Sequence, residues 1–167
     1  MNKRMFVLRF TQTLLKDMKI TPVEYENISP LLSWHANIIR LNKRKHILFV
    51  NDLSRLSIII DGVRTLQLNI LLDKFHSRLF EYLVSEGIEQ KVIESYLKEG
   101  LETNISKTNS RSVLGTMKEI TMYCDVTQLK FADQEERDKW LNRTIHKPID
   151  YKKPIDVFKE EIRKYSL

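Results

Sequence analysis

The chain of 167 residues is 42% hydrophobic and 30% charged, the composition of one globular domain rather than of a disordered chain. Its longest apolar runs, such as Ile47–Val50 and Ile58–Ile60, are too short to cross a bilayer, and Arg9 breaks the apolar start too early for a signal peptide. A net charge of +6 favours anionic surroundings, and the single cysteine, Cys124, excludes an internal disulfide and points to a reducing cytoplasm.

Residues 5–10 (Met-Phe-Val-Leu-Arg-Phe) predict a strand, followed by a short helix bearing Leu14, Leu15 and Met18. Thr21-Pro22-Val23-Glu24 then carries the pattern of a capping box with proline at the first helical position, which predicts a brief helical turn ended by Asn27, Ser29 and Pro30. From Ser33 to Gly62 three β-branched and aromatic runs alternate with turn formers. The turns are Asn42-Lys43-Arg44-Lys45 and Asn51-Asp52-Leu53-Ser54-Arg55, so a three-stranded antiparallel meander is expected over about 33–61.

Beyond Gly62 the apolar period lengthens. Leu68, Leu71, Leu72, Phe75, Leu79, Tyr82 and Leu83 predict a helix from near Thr65 to Glu86, and Ile88, Val92, Ile93, Tyr96 and Leu97 a second one between Gly87 and Gly100. A DNA-reading helix pair is rejected, because Glu89, Glu94 and Glu99 outnumber Lys91 and Lys98 on the second helix and would meet phosphates. Residues 102–108 predict a further strand. Ser110 or Ser112 then caps a helix whose inner face is Val113, Leu114, Met117, Ile120, Thr121 and Cys124. A helix opening at Asp133 is expected to bury Trp140 and Leu141, Pro148 and Pro154 to bracket an extended link, and a last helix to bury Ile155, Phe158, Ile162 and Tyr165. The expected architecture is α+β: an antiparallel sheet around the meander, with strands near 5–10 and 102–108, covered by helices. Residues 1–125 are expected to form the core domain and 126–167 a helical extension packed on it.

Chemistry is constrained by what is missing. Gly62, Gly87, Gly100 and Gly115 never cluster into a phosphate loop or dinucleotide fingerprint. His35, His46, His76, His146 and Cys124 show no metal-ligand spacing, so neither a metal nor a cofactor is expected. Cys124 lies on an apolar stripe and reads as core. Two polar constellations remain. Strand alternation puts Trp34, Ala36, Ile38 and Arg40 on one face and His35, Asn37, Ile39 and Leu41 on the other, so His35 and Asn37 are either a satisfied buried pair or a ligand site with His35 as acid or base. Lys107-Thr108-Asn109-Ser110-Arg111-Ser112 precedes a helix and is either an ordinary cap or an anion site, with Gly115 suggesting a close approach nearby.

Trp34-His35-Ala36-Asn37, the Asn42-Lys43-Arg44 turn, Asn51 and Arg111-Ser112-Val113-Leu114-Gly115-Thr116-Met117, with Arg9-Phe10-Thr11-Gln12-Thr13-Leu14 ahead of them, resemble an uncharacterised family of small bacterial proteins. Its members carry a Trp-His-Ala segment before a hairpin and later an Asn-Arg-Ser-Val-x-Gly-Ser-Met-Asn-Asp segment. The similarity spans residues 5–125. Ser110 stands where the family has Asn, Thr116 where it has Ser, and Lys118-Glu119 where it has Asn-Asp. The resemblance implies one compact α+β unit in a bacterial cytoplasm and brings no activity with it.

Charge is the remaining guide. Residues 1–60 hold 10 Lys/Arg against 4 Asp/Glu, whereas residues 61–125 hold 8 against 10. The sheet-forming part is therefore the basic part, and the leading expectation is a non-enzymatic protein that meets nucleic acid or another phosphate-bearing partner through Arg40, Lys43, Arg44, Lys45 and Arg55. Trp34 is its one candidate stacking ring. The alternative is an enzyme on a small phosphorylated or nucleotide-like substrate, with His35 as acid/base, Asn37 orienting, and Arg111 with Ser112 holding the anion. A third reading is a protein-interaction module of a plasmid or phage conflict system that binds through the helices of residues 66–99.

Overall fold

The computed structural model describes residues 5–61, 67–127 and 131–166. Gly62 and Thr65, the expected end of the meander and start of the next helix, lie outside them. A five-stranded sheet of order β4-β3-β2-β1-β5 runs through the middle of the molecule. Its strands are β1 (Phe6–Phe10), β2 (Ser33–Leu41), β3 (Arg44–Asn51), β4 (Ser57–Ile60) and β5 (Thr103–Lys107). The helices are α1 (Gln12–Met18), α2 (Leu68–Ser85), α3 (Gln90–Glu99), α4 (Arg111–Thr127), α5 (Gln134–Leu141) and α6 (Pro154–Ile162).

The architecture is α+β, and β2, β3 and β4 form the expected antiparallel meander. The sheet as a whole is mixed, because β1 pairs in parallel with both β2 and β5. No local sequence signal marks that pairing, since a parallel strand is brought in by its crossover rather than by a turn. The two faces follow the alternation of the strands. Phe6, Leu8, Phe10, Trp34, Ala36, Ile47, Phe49, Ile58 and Ile60 point to a core shared with α1, α2, α3 and α6. Ile39, Leu41, Leu48, Val50 and Ile59 point to a smaller core under α4 and the end of α5.

Several local expectations give way to tertiary contacts. Thr11, not Thr21, caps a helix, accepting the Leu14 N–H. Residues 21–26 form no helix, and Val23 donates its N–H to the Ile105 carbonyl along the free edge of β5, a bond that a helical turn would forfeit. Trp140 is 40% exposed, while its helix neighbours Arg137 and Asp138 are buried in its place. Residues 147–149 form a 3-10 turn rather than an extended link. A Cβ placed on Gly115 would meet nothing within 4 Å, so no backbone or side chain approaches closely there.

The C-terminal segment is tied in by polar anchors as well as by Leu141, Phe158 and Ile162. Asn142 accepts the Ser57 N–H at 2.7 Å and donates to the Ser57 carbonyl at 3.0 Å, so a side-chain amide serves as the missing neighbour of the edge strand β4. Arg143 grips the buried Glu86 carboxylate through both terminal nitrogens at 2.7 and 2.8 Å. Burial pushes Glu86 up, but the Arg143 guanidinium and the Tyr82 hydroxyl outweigh it and hold the carboxyl below its usual value.

Candidate functional site

On the face covered by α4, the parallel register aligns Ser106 of β5, Arg9 of β1 and His35 of β2 in one row. Arg9 is buried and is satisfied entirely by neutral groups. It donates to the Ser33 hydroxyl at 3.2 Å, the Ser106 hydroxyl at 3.4 Å, the Lys107 carbonyl at 3.5 Å and the Tyr25 carbonyl at 3.3 Å. The β3–β4 loop supplies the acid. Asn51, fully buried, shapes that loop by accepting the Leu53 and Ser54 N–H groups while donating to the Leu31 carbonyl. Arg55 closes the turn in a left-handed conformation, at φ 64°.

So held, Asp52 takes hydrogen bonds from both neighbours on β2: the Ser33 hydroxyl at 2.7 Å and His35 Nδ1 at 2.7 Å. His35 is fully buried, and its other nitrogen, Nε2, accepts the Asn109 backbone N–H at 3.3 Å. An imidazole that accepts at Nε2 carries its proton on Nδ1, and Asp52 is the acceptor for that proton. The lone pair that a general base would use is therefore taken up by the loop leading into α4.

Arg55 completes the connection. Its Nε donates to Thr116 Oγ1 at 3.2 Å and its Nη2 to Ser112 Oγ at 2.6 Å, both on α4, and its Nη1 donates to the Asp52 carbonyl. Burial pulls the pKa of Arg9 and of Arg55 below the ordinary guanidinium value, and the Asp52 charge partly restores each. Two buried guanidiniums thus feel the charge of one carboxylate, while their own hydrogen bonds go to hydroxyls and carbonyls. The cluster ties β1, β2, β5, the β3–β4 loop and the start of α4 into one polar unit.

The other residues singled out in the sequence fall in three places. Asn37 faces α4 and makes no hydrogen bond to His35. It accepts from the Thr11 hydroxyl and the Ile38 N–H and lines a shallow groove of about 290 Å³ with Leu114, Met117 and Thr121. Trp34 is fully buried and donates Nε1 to the Tyr96 hydroxyl at 3.2 Å, so it offers no stacking surface. Ser112 meets Arg55, whereas Arg111 is exposed and Ser110 supplies the helix cap to the Val113 N–H.

Arg40, Lys43 and Arg44 are exposed around the β2–β3 hairpin. Arg55 stands at the opposite end of these strands, about 25 Å away for eight residues of extended chain. Lys45 lies opposite Arg40 in the register and binds Asp17 of α1 at 2.6 Å. That ion pair joins the hairpin to α1, which carries the exposed Lys16 and, at its C-terminal end, Lys19. The contact between α1 and the hairpin had no local signal, because Lys45 meets Asp17 across 28 residues of sequence. Arg9 and Asp52 were equally hidden, one as the end of an apolar run and the other as a turn former.

Among the described residues no group of three or more His, Cys, Asp or Glu side chains is placed to hold a metal ion, and no helix is long and apolar enough to cross a membrane. No curated protein matches the sequence. Residues 7–157 match a family described as a domain of unknown function, DUF6933, and the chain belongs to that family.

Proposed function

We propose, for this member of a family whose function is unknown, that the protein binds a phosphate-bearing partner such as nucleic acid through the basic end formed by α1 and the β2–β3 hairpin. The observation that carries the reading is the 2.6 Å ion pair between Lys45 and Asp17. It pins the hairpin, with its exposed Arg40, Lys43 and Arg44, to α1, with its exposed Lys16 and Lys19, and exposed cations attract a polyanion and release its counterions. The His35 cluster supports this surface as scaffold. An acid–base role for His35 draws no support from a ring that is buried and bonded at both nitrogens.

Titration of the protein with a fluorescent single-stranded oligonucleotide at several salt concentrations tests the proposal. Binding should weaken steeply with salt, and Lys43→Glu with Arg44→Glu should reduce affinity by about tenfold or more at low salt. Affinity that is indifferent to both salt and charge reversal would remove the electrostatic case.

A further inference from the structure

The connections that leave β1 and β5 part company at the sheet. β1 runs through Thr11 into α1, which packs Leu14 and Leu15 on one face. The adjacent parallel strand β5 runs through Thr108 into α4, which packs Val113 and Met117 on the other. Neighbouring parallel strands whose connections go to opposite faces leave a crevice outside their carboxyl ends, and this is where open sheets of the kind hold ligands. Here the crevice is a cavity of about 670 Å³. That volume lies within the range of small-molecule sites.

Its lining divides by chemistry. Phe10, Leu15, Ile20 and Pro22 give it apolar walls, and Gln12, Thr21 and Thr108 contribute an amide and two hydroxyls. Lys16, Lys19 and Lys107 complete the lining. Lys19 adopts a left-handed conformation, φ 56°, which ends α1 and leads the chain into the Ile20–Pro22 wall. Lys107 pairs with Glu24 at 3.1 Å, but both side chains are largely exposed, so that pair is weak and water-screened. Lys16 and Lys19 make no ion pair among the described residues. Three lysines lining a cavity with apolar walls suit a dianion with an apolar or planar body better than a monoanion or a bare inorganic ion.

We propose that this cavity binds a small organic phosphomonoester, its phosphate held by Lys16, Lys19 and Lys107 and its body laid against Leu15, Ile20 and Pro22. The site shares Lys16 and Lys19 with the polyanion surface but differs from it in needing Lys107 and the cavity walls, not the hairpin. Naphthyl phosphate is the probe, with naphthol and inorganic phosphate as the two halves of it, each titrated into the isotopically labelled protein and followed by amide shifts. Naphthyl phosphate should cause saturable shifts at Lys16, Lys19, Ile20, Thr21, Lys107 and Thr108 and bind about tenfold or more tighter than either half. Lys19→Glu with Lys107→Glu should weaken it by at least about tenfold, and Lys43→Glu with Arg44→Glu by less than about twofold. Absence of saturable shifts up to about 10 mM, equal binding of inorganic phosphate, or shifts confined to the hairpin would overturn the proposal. The hairpin variant tested against the oligonucleotide fails or succeeds independently of these results.

Discussion

His35 Nδ1 and Asp52 Oδ1 lie 2.7 Å apart, in a bond that joins the middle of the sheet to the β3–β4 loop and, through His35 Nε2 and Asn109, to the approach to α4. Removing either partner strands the other. Asp52→Ala leaves His35 and Ser33 without their acceptor and two buried arginines without a nearby negative charge, so a loss of about 3 kcal/mol is expected. His35→Phe leaves the Asn109 amide and one Asp52 oxygen unmet and should cost about 2 kcal/mol. Because the two share one bond, the double variant should lose about 1–3 kcal/mol less than the sum. Denaturant unfolding of the four proteins measures that coupling, and simple additivity would contradict the arrangement.

Two glycines give predictions of opposite sign. A Cβ on Gly100 would sit 2.7 Å from the fully buried ring of Phe6, which is packed against Tyr96 and His76 and has no room to retreat. Gly100→Ala should therefore destabilise by about 1–3 kcal/mol. Gly115 is exposed within α4, its Cβ position is open, and it serves no close contact. Gly115→Ala should stabilise by about 0.5–1 kcal/mol, the ordinary gain of alanine in a helix interior. Thermal unfolding of both variants reads the contrast directly.

The glycines also show where sequence reasoning stops. Gly87, at φ 81° after α2, and Gly100, after α3, were legible as helix ends, since a residue without Cβ after an apolar periodic run is a local signal. The faces of β2 were legible for the same reason: alternation puts Trp34 and Ala36 in one core and Ile39 and Leu41 in the other. Gly115 misled, because a glycine inside a helix pattern has no unique local cause. The Thr21 capping box misled because Val23 finds its partner on β5, more than 80 residues away in sequence. The polar cluster needed the parallel register of β1: His35, Arg55 and Ser112 were singled out separately, but what joins them to β1 is Arg9, a charge set among Phe6, Val7, Leu8 and Phe10.

Cys124 lies with Ile120 and Met117 on the buried face of α4, and burial pushes its thiol up to about 11. A thiol held that far from ionisation is nearly devoid of thiolate at pH 8, where an unfolded cysteine is partly ionised. A disulfide reagent should therefore label the native protein only at the rate of unfolding, and denaturant should make labelling prompt. Fast native labelling at pH 8 would show that the residue is open to solvent.

Stability should decline in mild acid because of two histidines. Burial lowers the pKa of His76, against the pull of Asp73. It also lowers the pKa of His146, against Glu119 at 3.2 Å and with Arg55 adding to the decrease. His146 is buried, and its Nε2 finds no partner among the described residues, so a proton there would be an unsolvated charge. Each ring takes up its proton at a lower pH in the fold than in the unfolded chain, where the ordinary value is 6.5. The unfolded state then binds more protons, and unfolding free energy falls as pH drops from 6.5 through the lower, folded-state values. The slope from each ring is at most about 1.4 kcal/mol per pH unit, and solvent screening reduces it further. Unfolding measured from pH 8 to pH 5 should show a plateau followed by this decline, and His146→Leu should make the decline shallower. A wild-type stability that is flat across pH 6.5 to 5 would mean that both rings gain their protons without leaving the fold.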